Sequence, residues 1–433
     1  MTRAILALAL LAGFALRAPA QLASYDPPRS WKMADGQAFT ASVTAFDGTT
    51  VSFRMPNGQK VQAPVTQLAA EEHAYLADWR KKQPITVIMP DVVGVESSTL
   101  AVEVVSEDER NGKFVYRTPH FEFESQGKFT QSLLREVARN FEATYELLKA
   151  LPWGIEPRPP SGPYFRARLL RTKSAYHEAG APQNSGGVYM GGEEIFLVPF
   201  ESIGLKEVGK SYAKDDNFET HTLVHELTHQ MMHFWLRMLP QWVVEGTAEY
   251  TAMLPLRTGK FRVSSAKTGL KDYLDFLKRH AQGGVPMPFP LEELFTISNQ
   301  KWNAILEGDP RMSSRLYFTS YLLVYYFMHL DGAGDGQLFV KYFREIGTER
   351  RKVEEYYAAV EAFKKLPGVE SLPDGRYRWQ GDLTHPVKPD VLASPEALEA
   401  FQKRTLDILL NGRSEAQLMD QIRSAYKRLG VKV

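Results

Sequence analysis

Residues 221–233 read HTLVHELTHQMMH: four histidines at four-residue intervals, with a glutamate directly after the second. On an α-helix, imidazoles four apart stand on adjacent turns about 40° round from one another. Neighbouring pairs can share one metal ion, but all four cannot. Three pairs have the spacing: 221/225, 225/229 and 229/233. Only His225/His229 has a glutamate after its first member, Glu226; the others carry Thr222 and Gln230 there. In a His-Glu-x-x-His pattern the histidines hold a divalent ion and the glutamate flanks the same face, placed to take a proton from bound water. Such an ion brings the water's pKa to roughly 7, within reach of a carboxylate at neutral pH. The chemistry that follows is hydrolysis.

A catalytic zinc keeps three protein ligands and one position for water. After Pro240, QWVVEGTAEY reads as a second helix carrying Glu245 and Glu249 one turn apart. The fifteen residues between His229 and Glu245 allow a tight turn that returns Glu245 to the first helix. Gly246 removes a side chain where two helices must approach closely. Glu245 is the expected third ligand. His221 and His233 are expected on the helix face; either would instead close a structural site as a fourth ligand. His120 has no assigned role.

HELTH followed by Pro-x-Trp-Val-x-Glu-Gly-x-Ala-Glu-Tyr resembles the gluzincin metallopeptidases, the thermolysin-like group with two histidines and a glutamate on one zinc ion. The resemblance spans roughly residues 112–350. It implies His225, His229 and Glu245 as zinc ligands, Glu226 as general base and proton shuttle, and Glu249 as an outer carboxylate orienting a ligand histidine. It also implies an edge strand that pairs with an extended peptide. GGVYM at 186–190 resembles that strand, which makes Gly187, Val188 and Tyr189 substrate-binding candidates. In RLYFTSYLLVYYF, 315–327, Tyr317 stands where the group places an oxyanion partner, with Tyr321 one turn on as the alternative. No motif for binding a substrate N-terminus precedes HELTH, so exo- and endopeptidase action both stay open.

The elements that must position these residues follow from periodicity. Leu223, Leu227, Met231, Phe234 and Met238 recur at helical spacing between helix-starting side chains (Asp215, Asp216, Asn217, Thr220) and Pro240, which gives one helix. Another helix runs through 129–151, ended by Pro152. Strands are expected in TLAVEVV, KFVYRT, HFEFES and YFRARLLRT, and a hairpin turning at Gly191-Gly192 in 186–200. From 217 onward the text is mainly helical, with loops around 255–266, 281–290, 331–336 and 366–392. Strands first and helices after predict an α+β fold. The resemblance implies a strand-rich upper and a helical lower subdomain in the catalytic region, residues 112–350. Residues 84–124 read as a β-rich connecting segment and 351–433 as a C-terminal helical extension.

Residues 29–82 read as a separate small domain. Short alternating strands are separated by Asp47-Gly48 and Asn57-Gly58, strong hairpin signals, and closed by the helix AAEEHAYLADWRKK. So short a sheet is expected to curl into a barrel. The order Trp31, Asp35-Gly36, strand, hairpin, strand, hairpin, strand, Leu68 and acidic helix resembles the small SH3-like domain fused to exported bacterial proteins. That implies a binding or spacing module, with a possible envelope or protein partner.

The chain opens MTRAILALALLAGFALRAPA, a basic start, a short apolar run and a small-x-small cleavage site. This predicts a signal peptide over residues 1–20 and an exported, periplasmic or extracellular protein with no membrane span after cleavage. Removing Arg3 and Arg17 leaves 50 basic residues (52 − 2) against 51 acidic ones, a balance that calls for neither nucleic acid nor an anionic membrane. The absence of cysteine excludes disulfides, thiolate metal sites and a cysteine nucleophile. The expected activity is zinc-dependent hydrolysis of a peptide or protein substrate with one zinc ion. The competing expectation is a catalytically inactive, zinc-containing envelope binding protein.

Overall fold

The computed structural model describes residues 28–46, 48–82, 87–183, 185–209, 211–215, 218–280, 287–372, 377–379, 384–431 and 433. The expected signal peptide at 1–20, Asp47 of the first hairpin, Asp216 and Asn217 of the helix start, and residues 281–286 of the expected 281–290 loop lie outside them. The chain forms two compact units, residues 1–84 and 85–433.

The first unit is an antiparallel meander of β1 (Arg29–Lys32), β2 (Ala38–Phe46), β3 (Thr50–Arg54) and β4 (Lys60–Pro64), followed by α1 (Ala70–Lys82). Gly58 takes φ +81°, the left-handed turn that the Asn57-Gly58 signal calls for. The expectation of a closed barrel is corrected: the four strands form an open sheet in sequence order, with no closed barrel among the described residues. The helix supplies what closure would have done. Leu76 and Trp79 of α1 join Trp31, Val43, Val51 and Phe53 in one core, so the apolar face is buried without curling round on itself. Trp31 is fully buried, and its indole N–H donates to Ala41 O at 2.9 Å. The Arg29 guanidinium stacks on the Trp31 and Tyr75 rings, 4.4 and 3.9 Å from their centroids, and pairs with Glu72 at 2.8 Å.

The second unit mixes helices and strands from its start. Its main sheet contains β6 (Glu103–Asp108), β7 (Lys113–Arg117), β8 (Phe121–Ser125), β9 (Phe165–Leu170), β10 (Val188–Met190) and β11 (Ile195–Pro199), in the order β10-β11-β9-β8-β7-β6. The pairs β8/β9 and β9/β11 are parallel and the rest antiparallel. Parallel neighbours need crossovers, and α2 (Gln131–Ala150) and α3 (Lys173–Glu178) lie in them. Alternation sends Phe165, Ala167, Phe196 and Val198 to one face, under Phe141 and Leu134 of α2. Leu170, Ile195 and Leu197 go to the other face, against Tyr176 of α3.

The strand expected in TLAVEVV begins at Glu103, later than the text indicated. Before it, β5 (Val92–Gly94) leaves this sheet altogether. It pairs with β15 (Lys260–Arg262), which pairs in turn with β14 (Leu256–Arg257), inside a region expected to be loop. Residues 84–124 therefore feed two different sheets of the second unit. A two-stranded ribbon, β12 (Leu205–Val208) and β13 (Ser211–Lys214), precedes the histidine stretch.

Helices then dominate: α4 (His221–Met231), α5 (His233–Leu236), α6 (Gln241–Ala252), α7 (Ala266–His280), α8 (Leu291–Thr296), α9 (Asn299–Gly308), α10 (Pro310–His329) and α11 (Gln337–Lys364). After a short ribbon, β16 (Val369–Ser371) and β17 (Tyr377–Trp379), come α12 (Pro395–Leu410) and α13 (Glu415–Arg428). The aromatic run is α10, buried over most of its length; no described helix is long and apolar enough to cross a membrane. The C-terminal helices share the same core through Phe401, Leu409, Leu418 and Tyr426. Tyr426 Oη of α13 donates to Leu322 O of α10 at 2.8 Å, and Arg413, between α12 and α13, grips both carboxylate oxygens of Asp331, just past the end of α10, at 2.7 and 3.0 Å.

Candidate metal centre

Helix α4 buries Leu223, Val224, Leu227, Thr228, Gln230 and Met231. Two polar ties fix it in place: Thr228 Oγ1 meets Thr251 Oγ1 of α6 at 2.7 Å, and Gln230 Nε2 donates to Arg166 O of β9 at 2.8 Å. The single helix expected as far as Pro240 is interrupted. Met232 takes φ −92°, ψ 12°, outside helical values, and α5 starts after it. The apolar spacing continues through the break, so periodicity gave no sign of it.

The break and Pro240 turn the chain back as α6. Contacts between the two helices run in opposite directions: His221 faces Glu249 and His229 faces Glu245. The close approach assigned to Gly246 is real, but it involves another helix. A Cβ there would stand 2.5 Å from Ser320 O and 2.8 Å from Val324 Cγ2 of α10. The glycine seats α6 against α10, and the opposite face of α6 presents its carboxylates to α4.

Among the described residues, two groups of side chains could hold a metal ion: His225, His229 and Glu245, and His221, His225 and Glu249. In the first, His225 Nε2 and His229 Nε2 lie 3.0 Å apart, and Glu245 Oε2 is 3.2 Å from one and 3.5 Å from the other. Glu245 Oε2 is buried with no aligned hydrogen bond. Two imidazole edges pointing at each other, beside a carboxylate oxygen lacking a donor, fit a cation better than one another. A triangle with sides of 3.0, 3.2 and 3.5 Å has its corners about 1.9 Å from its centre, close to the roughly 2.0–2.2 Å that imidazole and carboxylate keep to a small divalent ion.

Charge couples the same residues to one another. Burial opposes ionisation of Glu245, but the His229 and His225 rings outweigh it and hold the carboxyl down to about 2. For Glu249, burial is likewise overcome, by His221 and then His225, so its carboxyl is far below the usual range. Burial would lower His225, yet Glu245 and Glu249 raise it well above an ordinary imidazole.

Glu249 is buried against both His225 and His221. Its Oε1 lies 3.0 Å from His225 Nδ1, and its Oε2 lies 3.2 Å from His221 Nε2. Sequence reasoning missed Tyr273 of α7, which is buried and has its phenol pushed far up by burial and by the Glu249 carboxylate. Glu226 sits on the strand side, where Tyr189 N–H of the edge strand β10 donates to Glu226 Oε2 at 3.0 Å. Gly187 is fitted to that approach, since a Cβ there would be 3.2 Å from the Phe196 ring and 3.7 Å from Glu226 Cγ. Val188 alternates away and packs in the α3 core, so its side chain does not face the centre. His233, expected on the helix face or else as a fourth ligand, meets Tyr189 Oη at 2.7 Å through Nδ1.

Of the two tyrosines, Tyr317 reaches the centre. Its ring lies 6.2 Å from that of His225, and its phenol is raised by burial and by Glu245, Glu249 and Glu226. Tyr321 is packed at 4.8 Å on Tyr273 and is 1% exposed. His120 lies elsewhere, stacked on Tyr145 and bonded at 2.6 Å to the buried Glu142.

No protein-family model and no curated protein matches the chain. The functional reading therefore rests on the residues and their geometry.

Proposed function

We propose that the protein is a zinc-dependent peptidase of gluzincin type, with His225, His229 and Glu245 as ligands and Glu226 as general base. The observation that carries this reading is the convergence of two Nε2 atoms and one orphaned carboxylate oxygen, all within 3.5 Å of one another, beside a glutamate anchored on an edge strand. When bound there, the ion polarises a peptide carbonyl and acidifies water.

The chain's own residues do the rest. Tyr189 N–H holds one oxygen of Glu226, which fixes the carboxylate and leaves the other oxygen to take the water's proton and deliver it to the leaving amine. Glu249 holds the His225 ring from behind. Tyr317, kept protonated by burial and three nearby carboxylates, donates to the oxyanion as it forms. Among the described residues strand β10 is paired on one side only, by β11, so an extended peptide can lie along its other edge. The N-terminal sequence adds export to this reading, and the first unit adds an SH3-like binding or spacing role.

The test is digestion of a peptide library by purified protein with and without chelator, alongside Glu226→Gln. Chelator-sensitive cleavage that Glu226→Gln abolishes while retaining the metal is the expected result. Metal retention with no cleavage by the parent protein would favour the binding-protein alternative.

A further inference from the structure

The second donor group repeats the first in composition, but its carboxylate offers a separate oxygen to each ring, where Glu245 offers one oxygen to both. His221 Nε2, Glu249 and His225 Nδ1 are again two imidazole nitrogens and a carboxylate, with nitrogen–oxygen separations of 3.2 and 3.0 Å. His221 Nε2 meets Glu249 Oε2 in hydrogen-bond geometry, at a separation that also falls within the roughly 3.0–3.5 Å between donors sharing one small ion. His225 Nδ1 is buried, on a side chain 9% exposed, and lies off the line that a hydrogen bond to Glu249 requires. It points into this group while Nε2 of the same ring points into the other. His221 is 34% exposed, which gives the group a side open to solvent.

The geometry points to a second cation seat formed by His221, Glu249 and His225 Nδ1, so that the centre takes two divalent ions with the His225 ring between them. Loading the second ion through Nδ1 breaks that nitrogen's N–H bond. The proton passes to water on the open side of His221, and the N–H electron pair becomes the ligand pair, with no change of oxidation state. The second ion binds more weakly, because it must displace a proton and has fewer buried donors around it. It also takes Glu249 from its place behind His225, so excess metal would change the centre as well as fill it. This inference concerns metal binding alone and stands whether or not the reaction is peptide hydrolysis.

Equilibrium dialysis of the full chain against increasing Zn2+, with bound metal counted by mass spectrometry, tests it. The parent is expected to saturate at two ions per chain, with about one proton released on the second step. His221→Ala is expected to saturate at one, its tighter site changed by less than about three-fold. His233→Ala, which removes a histidine of the same helical series bonded to Tyr189 instead, should still bind two. Saturation of the parent at one ion would overturn the proposal and leave Glu249 as a brace only. So would a His221→Ala variant that still binds two. Circular dichroism on each variant separates loss of a site from loss of fold.

Discussion

Replacing Gly246 by alanine sets helix propensity against packing. In an exposed helix interior, alanine is better than glycine by about 1 kcal/mol. At 246 the added Cβ would meet Ser320 O at 2.5 Å, Ser320 C at 2.9 Å and Val324 Cγ2 at 2.8 Å. Two of those three atoms are backbone and cannot rotate aside, so α6 and α10 must part by roughly half an ångström, an overpacking cost of about 2–3 kcal/mol. The net expectation is a loss of about 1–2 kcal/mol, opposite in sign to propensity. Glu245 is the adjacent residue, so the displacement carries into the candidate metal centre, and the affinity for zinc proposed there should fall with stability. Urea unfolding, read as a lower midpoint at unchanged slope, measures the first effect, and zinc competition with a chromogenic chelator measures the second. A variant as stable as the parent, with the same zinc affinity, would refute the claim that α10 sets the position of Glu245.

Three further outcomes follow from the same geometry. Glu249→Ala leaves the proposed zinc ligands His225, His229 and Glu245 in place but removes the group behind His225, so zinc affinity there should fall roughly 10- to 100-fold in a chelator competition. Tyr317→Phe should lower kcat on a cleaved peptide roughly 100- to 1,000-fold with KM little changed, while Tyr321→Phe should leave kcat within a few-fold. His329, hydrogen-bonded at 2.9 Å to Tyr250 Oη, is pushed by burial down to about 4. The unfolded chain therefore takes up this proton first as pH falls. The stability His329 contributes is whole above about 6.5 and is lost toward pH 4, by up to about 3 kcal/mol. Unfolding free energies at pH 7 and 4.5 should thus differ more in the parent than in His329→Gln.

The gathering of metal-capable donors in the histidine stretch was legible because a four-residue repeat on a helix puts donors on adjacent turns. The return of Glu245 was legible because Pro240 ends one element and starts the next. What stayed hidden depends on contacts between segments far apart in sequence. Gly246 announces a close approach but not its partner, and residues 317–324 lie too far along the chain for spacing to select them. Strand β5 has three residues, and its Val93 pairs 168 positions away (261 − 93), at Phe261, so no local turn signal marks it. The break at Met232 is masked by apolar residues that suit either one helix or two. Tyr273 looks like any other core aromatic until α7 is packed against Glu249. In the first unit, turn and strand signals gave the meander correctly; whether it closes depends on α1, whose Leu76 and Trp79 cover the apolar face.

The most direct test is anomalous scattering at the zinc edge from crystals of protein holding one equivalent of metal. The expected result is a single peak bonded to Nε2 of His225, Nε2 of His229 and a carboxylate oxygen of Glu245, with solvent at the remaining position and Glu226 beside that solvent. A peak that omits Glu245, or one closed by a fourth protein ligand, would contradict a hydrolytic centre here.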